Sequence, residues 1–251
     1  MKLTILGSGT MMPTQKRHPS AYLLEIAHHK ILLDIGHTTI ARLIEMGIDL
    51  YSIDTIFVSH FHTDHFGDFL PFIHSCFVED LHHPAKKHQK PLLVLGPKTF
   101  QKRWDKLREV FWVEPENYPL RFIEGSQTIT LDSLKITLFP IVHVPWFESV
   151  GIKIQDHGKT FVYTGDIGGK HPMDELQETV RDADLLLIES SYLASTPNHF
   201  SPDQIIELSQ VAHVKKTVAT HLRDEYIPAL KQKFKNHPTI VLAKDKMRIE
   251  L

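Results

Sequence analysis

The residues best suited to chemistry stand in one short segment, Ser59-His60-Phe61-His62-Thr63-Asp64-His65-Phe66-Gly67-Asp68. Imidazole nitrogens and carboxylate oxygens are the donors that divalent transition metals accept. Here His60, His62, Asp64 and His65 fall within six residues. The protein carries 18 His in 251 residues, so accidental clustering must be weighed. Its own His and Asp frequencies give on the order of 0.006 chance occurrences of His-x-His-x-Asp-His, and accident is a poor explanation. The segment follows the apolar run Thr55-Ile56-Phe57-Val58. Two histidines at spacing two at a strand end point the same way, and a turn into a helix swings Asp64 and His65 towards the same point.

A metal site in a folded enzyme needs further ligands from distant segments. The run Leu134 to Phe139 leads into His143, Thr160 to Tyr163 into Gly165-Asp166, and Thr217 to Thr220 into His221. Each apolar run ends in one potential ligand, so all of them can lie along one rim of a sheet. Singly, His143 reads equally as a core histidine and Asp166 as a turn residue. Together they point to one site.

The elements that must position these residues are short apolar runs rich in Ile, Val, Leu and Phe, which read as strands in two groups. The first group is Leu3 to Leu6, Tyr22 to Ile26, Ile31 to Asp34, Thr55 to Val58 and Leu92 to Leu95. The second is Leu120 to Ile123, Thr128 to Leu131, Leu134 to Phe139, Gly151 to Ile154, Thr160 to Tyr163, Leu185 to Glu189, Thr217 to Thr220 and Thr239 to Leu242. Helical periodicity marks Thr38 to Met46, Phe66 to Cys76, Lys98 to Phe111, Asp174 to Val180, Pro202 to Val211 and Glu225 to Phe234, several opening with Pro, Ser, Thr or Asp. Interleaved helices and strands in two batches predict an α/β protein with two sheets packed face to face under helices, in one domain over residues 1–251.

Composition narrows the function. A net charge of −2 gives no whole-molecule field for a general nucleic-acid or membrane binder. The N-terminal apolar stretch is too short for a signal-peptide core or a membrane span. The single cysteine, Cys76, forms no intramolecular disulfide and suits a reducing, cytoplasmic compartment; within an apolar helical stretch it reads as core. The basic stretch from His82 to Lys90 reads first as a solvated loop and second as a phosphate contact.

The order His-x-His-x-Asp-His, then a His, then Gly-Asp, then a strand-terminal His resembles the metallo-β-lactamase superfamily. Flanking segments are similar to its ribonuclease Z-like branch: Leu6-Gly7-Ser8-Gly9-Thr10, Leu32-Leu33-Asp34-Ile35-Gly36, Leu95-Gly96-Pro97-Lys98, Tyr163-Thr164-Gly165-Asp166 and Ile188-Glu189-Ser190-Ser191. The resemblance spans nearly the whole chain. It implies a four-layer αββα sandwich and two divalent metal ions, zinc first and manganese or iron as alternatives. One ion would be held by His60, His62 and His143, the other by Asp64, His65 and His221, with Asp166 bridging. It further implies that Asp34 orients a ligand histidine; the equal alternative is a strand-end acid capping a turn. Flavodiiron relatives place Glu where this chain has His62, and lactamases with a cysteine ligand need Cys at Asp166, so hydrolysis on an all-His/Asp set is expected.

Two divalent ions acidify a shared water and stabilise charge on a phosphoryl or acyl oxygen, so a metal-bound hydroxide is the expected nucleophile. The resemblance gives Asp64 the water's proton and gives His199, in Asn198-His199-Phe200-Ser201, the leaving group's. Of the remaining histidines, His18 and His74 are the first candidates for a role. The tRNA-gripping arm that true ribonuclease Z inserts before Gly-Asp has no room here, since 166 − 143 = 23 residues separate His143 from Asp166. The expected partner is therefore a small-molecule or short nucleic-acid phosphodiester, not folded tRNA and not a membrane; a homodimer is left open. An ester, lactone, thioester or sulfate ester hydrolase on the same site is the alternative, with Phe61, Phe66, Trp146 and Phe147 as an apolar lining. A metal-containing binding or sensor module without turnover is the second.

Overall fold

A computed structural model describes residues 1–83, 91–111 and 118–250. In chain order they form β1 (Lys2–Gly7), β2 (Ala21–Ile26), β3 (His29–Ile35), α1 (Thr39–Glu45), β4 (Thr55–Phe57), α2 (Thr63–Phe66), α3 (Phe69–His82), β5 (Leu92–Gly96), α4 (Phe100–Phe111) and β6 (Leu120–Glu124). There follow β7 (Gln127–Leu131), β8 (Leu134–Ile141), β9 (Ser149–Asp156), β10 (Lys159–Tyr163), α5 (Met173–Val180), β11 (Leu185–Glu189), α6 (Pro202–Val211), β12 (Thr217–Thr220), α7 (Ile227–Lys233), β13 (Ile240–Leu242) and β14 (Arg248–Glu250).

Among the described residues the strands make two seven-stranded sheets, ordered β14-β1-β2-β3-β4-β5-β6 and β13-β12-β11-β10-β9-β8-β7. Each is half antiparallel and half parallel: β3, β4, β5 and β6 run parallel in the first, as do β10, β11, β12 and β13 in the second. Parallel neighbours need long crossovers, and α1, α2 with α3, α4, α5, α6 and α7 supply them.

The two-residue side-chain period of a strand decides which layer each residue joins. Leu3, Ile5, Tyr22, Leu24, Ile31 and Leu33 face the opposite sheet and meet Ile136, Leu138, Ile152, Ile154, Phe161 and Tyr163 in a central core. Their alternates Leu6, Leu23 and Leu32 turn outwards onto Leu43, Phe69, Phe72 and Phe100 of the helices, joined by Ile35 after the positive φ of Asp34. On the second sheet Val162, Leu186 and Ile188 do the same against Leu176, Ile205, Leu208 and Leu230. Strands buried on both faces read as unbroken apolar runs, which is why Leu185–Glu189 shows no alternation. The result is the expected four-layer αββα sandwich of metallo-β-lactamase-fold proteins. Cys76 is buried among α3's core contacts, with its thiol pushed up to about 11 by burial.

Three elements differ from the periodicity. Leu120–Glu124 belongs to the first sheet, parallel to β5, because the crossover through α4 returns it beside that strand. β14 pairs with β1, although its Arg-Ile-Glu offers no apolar run. The helix read over Phe66 to Cys76 is two helices: the Asp68 N–H donates to Ile35 O at 2.9 Å and leaves the helical ladder. The second of these helices then runs on to His82. Most of the basic stretch, residues 84–90, lies outside the described residues.

Candidate metal centre

β4 delivers the motif. It ends at Phe57, and Val58 N–H still bonds to Leu95 O, extending the ladder by one residue. The chain then turns under the control of Asp34 at the end of β3. Its two oxygens accept Ser59 N–H at 2.6 Å and Ser59 Oγ–H at 2.9 Å. His60 emerges fully buried, His62 precedes the single turn α2, and Asp64 and His65 lie on that turn. Close approach here demands glycine: a Cβ on Gly36 would stand 2.2 Å from Asp64 O. Gly165, at φ +63, would likewise press a Cβ within 2.5 Å of Ser59 Cβ. Both positions require a residue without a Cβ.

All seven expected side chains meet at one mouth of the sandwich. His60 Nε2 is 3.0 Å from His62 Nδ1, which is 3.4 Å from His143 Nε2, which is 3.8 Å from Asp166 Oδ2. On the other side Asp166 Oδ1 is 3.4 Å from His65 Nε2, His65 Nε2 is 3.4 Å from His221 Nε2, and His221 Nε2 is 3.1 Å from Asp64 Oδ2. Ligands about 2.0–2.1 Å from a tetrahedral ion stand roughly 3.3 Å from one another, so these spacings fit ligands sharing a centre. The donors fall into two groups, His60, His62, His143 and Asp166, and Asp64, His65 and His221, with Asp166 between them.

Electrostatics point the same way at three of the histidines, while at His65 burial is outweighed by the facing Asp166, Asp34 and Asp64, which raise its pKa above the ordinary histidine range. Burial, aided by the neighbouring imidazoles, holds His60, His62 and His143 below the ordinary histidine range, so their lone pairs are free near neutral pH, as ligation requires. Burial disfavours the charged forms of Asp64 and Asp166, but the facing His65 and His221 outweigh it, leaving Asp64 at about 2 and Asp166 well below its ordinary value. Asp64 Oδ1 and Asp166 Oδ1 are buried with no hydrogen-bond partner. Ionised oxygens left so are costly. A divalent cation satisfies them, and the residues fit one.

Four of the five rings are held from behind, the arrangement that fixes tautomer and aim. His65 Nδ1 faces Asp34 Oδ2 at 2.6 Å, His60 Nδ1 faces Ser59 Oγ at 3.0 Å, His143 Nδ1 faces Asn198 O at 2.8 Å and His221 Nδ1 faces Ser191 Oγ at 2.5 Å. His199 stands beside the cluster, its Nδ1 2.8 Å from Glu189 Oε1. Burial lowers its pKa, but the Glu189 hydrogen bond and charge prevail and raise it. It sits just ahead of α6, where Ser201 and Gln204 make a reciprocal capping box followed by Pro202, a start signal that fixes this turn.

The seven residues, Asp64 among them, are brought together with His199 adjacent; His18 and His74 are not. His18 Nδ1 bonds to Asp245 at 2.8 Å, and His74 is exposed on α3. Phe61 and Phe66 line a separate groove with Arg103, Trp146 is exposed, and only Phe147 of the expected apolar lining packs against His60 and His62. Sequence reasoning missed Ser59, Tyr163, Glu189, Ser191, Tyr192 and Arg223 as site residues. The run Glu189-Ser190-Ser191 directly after β11 was a signal for two of them. A cleft of about 380 Å³ opens over the centre, reaching His62, Asp64, Asp166, His199, Tyr192 and Arg223. The Arg223 guanidinium lies 4.5 Å over the Tyr192 ring and donates to its Oη at 2.7 Å.

Comparison with known proteins bears on family and fold. A ribonuclease Z of Methanosarcina acetivorans is 25% identical over 309 aligned positions, covering 100% of this chain and 98% of that one. The metallo-β-lactamase-fold protein YhfI of Bacillus subtilis superposes with a TM-score of 0.83 at 21% identity, covering 100% of this chain and 99% of that one. A diphosphatase of the PhnP family superposes with a TM-score of 0.77 at 20% identity, covering 100% and 97%. The family model described as anti-Pycsar protein Apyc1 matches residues 1–241, and the chain belongs to that family, a ribonuclease Z-like group of metallo-β-lactamase fold.

Proposed function

We propose that the protein is a metal-dependent phosphodiesterase, a single hydrolase domain over residues 1–251 that acts on small or single-stranded phosphodiesters. The observation that carries this reading is the convergence of His60, His62, Asp64, His65, His143, Asp166 and His221 beneath a cleft that also holds His199 and Arg223. A ribonuclease and a diphosphatase among its relatives favour chemistry at phosphorus. Two divalent ions, zinc first, fit the two donor groups; when bound they supply an acidified water and positive charge opposite the phosphoryl oxygens.

The chain's own residues do the rest. Asp64, ionised near neutral pH and set within the donor cluster, accepts the proton of the attacking water. His199, its pKa raised by Glu189, donates in its protonated form to the departing oxygen, and its Nδ1–H stays on the carboxylate while Nε2 gives up the proton. Arg223 gives a cation for a non-bridging phosphate oxygen, and Tyr192 beneath it holds the guanidinium in place. Between His143 and Asp166 the chain forms only β9, β10 and the connections around them, which favours a small substrate over a folded tRNA. Among the described residues Tyr192 is the one Phe, Tyr or Trp lining the cleft, which weighs against an ester hydrolase reading.

A panel of bis(p-nitrophenyl) phosphate, carboxylic esters, thioesters, sulfate esters and lactones tests the reading on metal-loaded protein. Phosphodiester turnover that disappears in His62→Ala is expected. Turnover of esters or lactones with none of the phosphodiester overturns it, and metal content without any turnover returns the protein to the binding or sensor class.

A further inference from the structure

At the end of the sandwich opposite the catalytic cleft, two hairpins from different sheets touch. β2 and β3 are joined by the two-residue turn Ala27-His28, with Ile26 paired to His29, and β7 and β8 by Asp132-Ser133, with Leu131 paired to Leu134. In each, the first turn residue takes a positive φ of 51°. Neighbouring residues of a strand point to opposite faces, but the left-handed turn lets His28 and His29 lie on the same side, ring centroids 4.2 Å apart. Both Nε2 atoms reach the same oxygen of the other hairpin: His28 Nε2 is 3.0 Å and His29 Nε2 3.1 Å from Asp132 Oδ2. β3 then runs seven residues before the catalytic rim, a distance of roughly 20 Å at about 3.3 Å per residue.

We propose that His28, His29 and Asp132 form a second metal site, for a divalent transition metal of the zinc class, that clips the two sheets together away from the catalytic centre. The donor chemistry is that of a two-histidine, one-carboxylate site, and the separations match the roughly 3.3 Å between ligands of a tetrahedral ion. The fourth position opens to solvent, since His28 and Asp132 are exposed while His29 is buried. His29 also has the carboxylate behind it that ligating histidines need. Its Nδ1 is 3.6 Å from Asp54 Oδ1, and Asp54 is itself fixed by Lys30 N–H at 2.9 Å and by Thr55 Oγ–H at 2.9 Å. Without a cation, one carboxylate oxygen collects two imidazole N–H groups. With one, three lone pairs share a charge that the exposed turn can still hydrate. Because the ligands come from segments about a hundred residues apart in sequence, binding there stabilises the packed sandwich relative to the unfolded chain.

The test compares intact wild-type protein with His28→Ala and Asp132→Asn, the latter keeping a residue that tolerates the left-handed turn. Each is dialysed to equilibrium against buffered free zinc and assayed for metal per chain, for zinc-dependent thermal stabilisation and for phosphodiester turnover. The wild type is expected to hold one more equivalent of zinc than either variant and to gain a zinc-dependent rise in Tm that both variants lose, with turnover equal in all three. Equal zinc content in the three proteins overturns the proposal. So does a variant that loses zinc and turnover together, since the ion counted would then be catalytic. The comparison by difference holds whatever number of ions the catalytic centre takes.

Discussion

Asp34 Oδ2 lies 2.6 Å from His65 Nδ1, with both side chains fully buried. The same oxygen accepts from Tyr163 Oη at 2.5 Å and from Ser59 Oγ at 2.9 Å. One carboxylate at the end of β3 thus aims an imidazole, holds the turn that carries the motif and ties the second sheet to the first through β10. Asp34→Asn is expected to weaken metal affinity about 10- to 100-fold while the protein stays folded, as read by competition with a chromophoric chelator and by far-UV circular dichroism. Unchanged affinity would show that the carboxylate does not orient His65.

His199 is placed to protonate a leaving oxygen, so its value depends on how poor that leaving group is. His199→Ala is expected to lower kcat about 10²- to 10⁴-fold for a phosphodiester with an alkyl leaving group, and far less for bis(p-nitrophenyl) phosphate, whose phenolate departs without a proton. An equal loss on both substrates would argue for a binding role instead. Glu189→Gln, which keeps the shape and removes the charge on Nδ1, is expected to follow the same pattern more weakly.

Arg223 acts on binding in this account. Arg223→Ala is expected to raise KM for phosphodiesters about tenfold or more, the loss of a charge-assisted contact worth roughly 1.5–3 kcal/mol, with a smaller change in kcat. A fall in kcat at constant KM contradicts the assignment.

Stability has its own pH signature at Asp184. Its buried carboxylate accepts Thr160 N–H at 2.8 Å and Lys215 Nζ–H at 3.0 Å. Burial alone raises its pKa, but these contacts outweigh it and hold the group below the usual carboxylate range. A depressed folded-state pKa gives stabilisation that is complete above the unfolded value of about 3.9 and is lost as pH falls through the folded value. Asp184→Ala is expected to cost about 1.5–3 kcal/mol near pH 7, with the gap to wild type closing below about pH 4. A gap in urea midpoints that stays constant from neutral to acid pH would contradict it.

Much of the site was legible because it is local or ends a strand. His60, His62, Asp64 and His65 sit in one segment, and His143, Asp166 and His221 each close an apolar run, so β8, β10 and β12 carried them to one rim. What escaped were contacts set by pairing across the molecule. Tyr163 reads as a core aromatic until the two sheets meet and bring its Oη to Asp34. Ser59 and Ser191 are small polar residues whose meaning lies only in the ring opposite. The family was readable only to its broad branch, since the residues that carry the resemblance are the shared ligand set. Element boundaries failed where backbone donors were diverted, as at Asp68, and strand partners failed where pairing was long-range, as for β6 and β14. The segment from His60 to His65 needed none of that.

The most direct test is anomalous diffraction at the zinc edge from crystals of zinc-loaded protein. Two peaks are expected about 3.5–4 Å apart, one within bonding distance of His60, His62 and His143, the other of Asp64, His65 and His221, with Asp166 touching both. Zinc absent from this rim, or bound without His143, Asp166 and His221, would contradict the account.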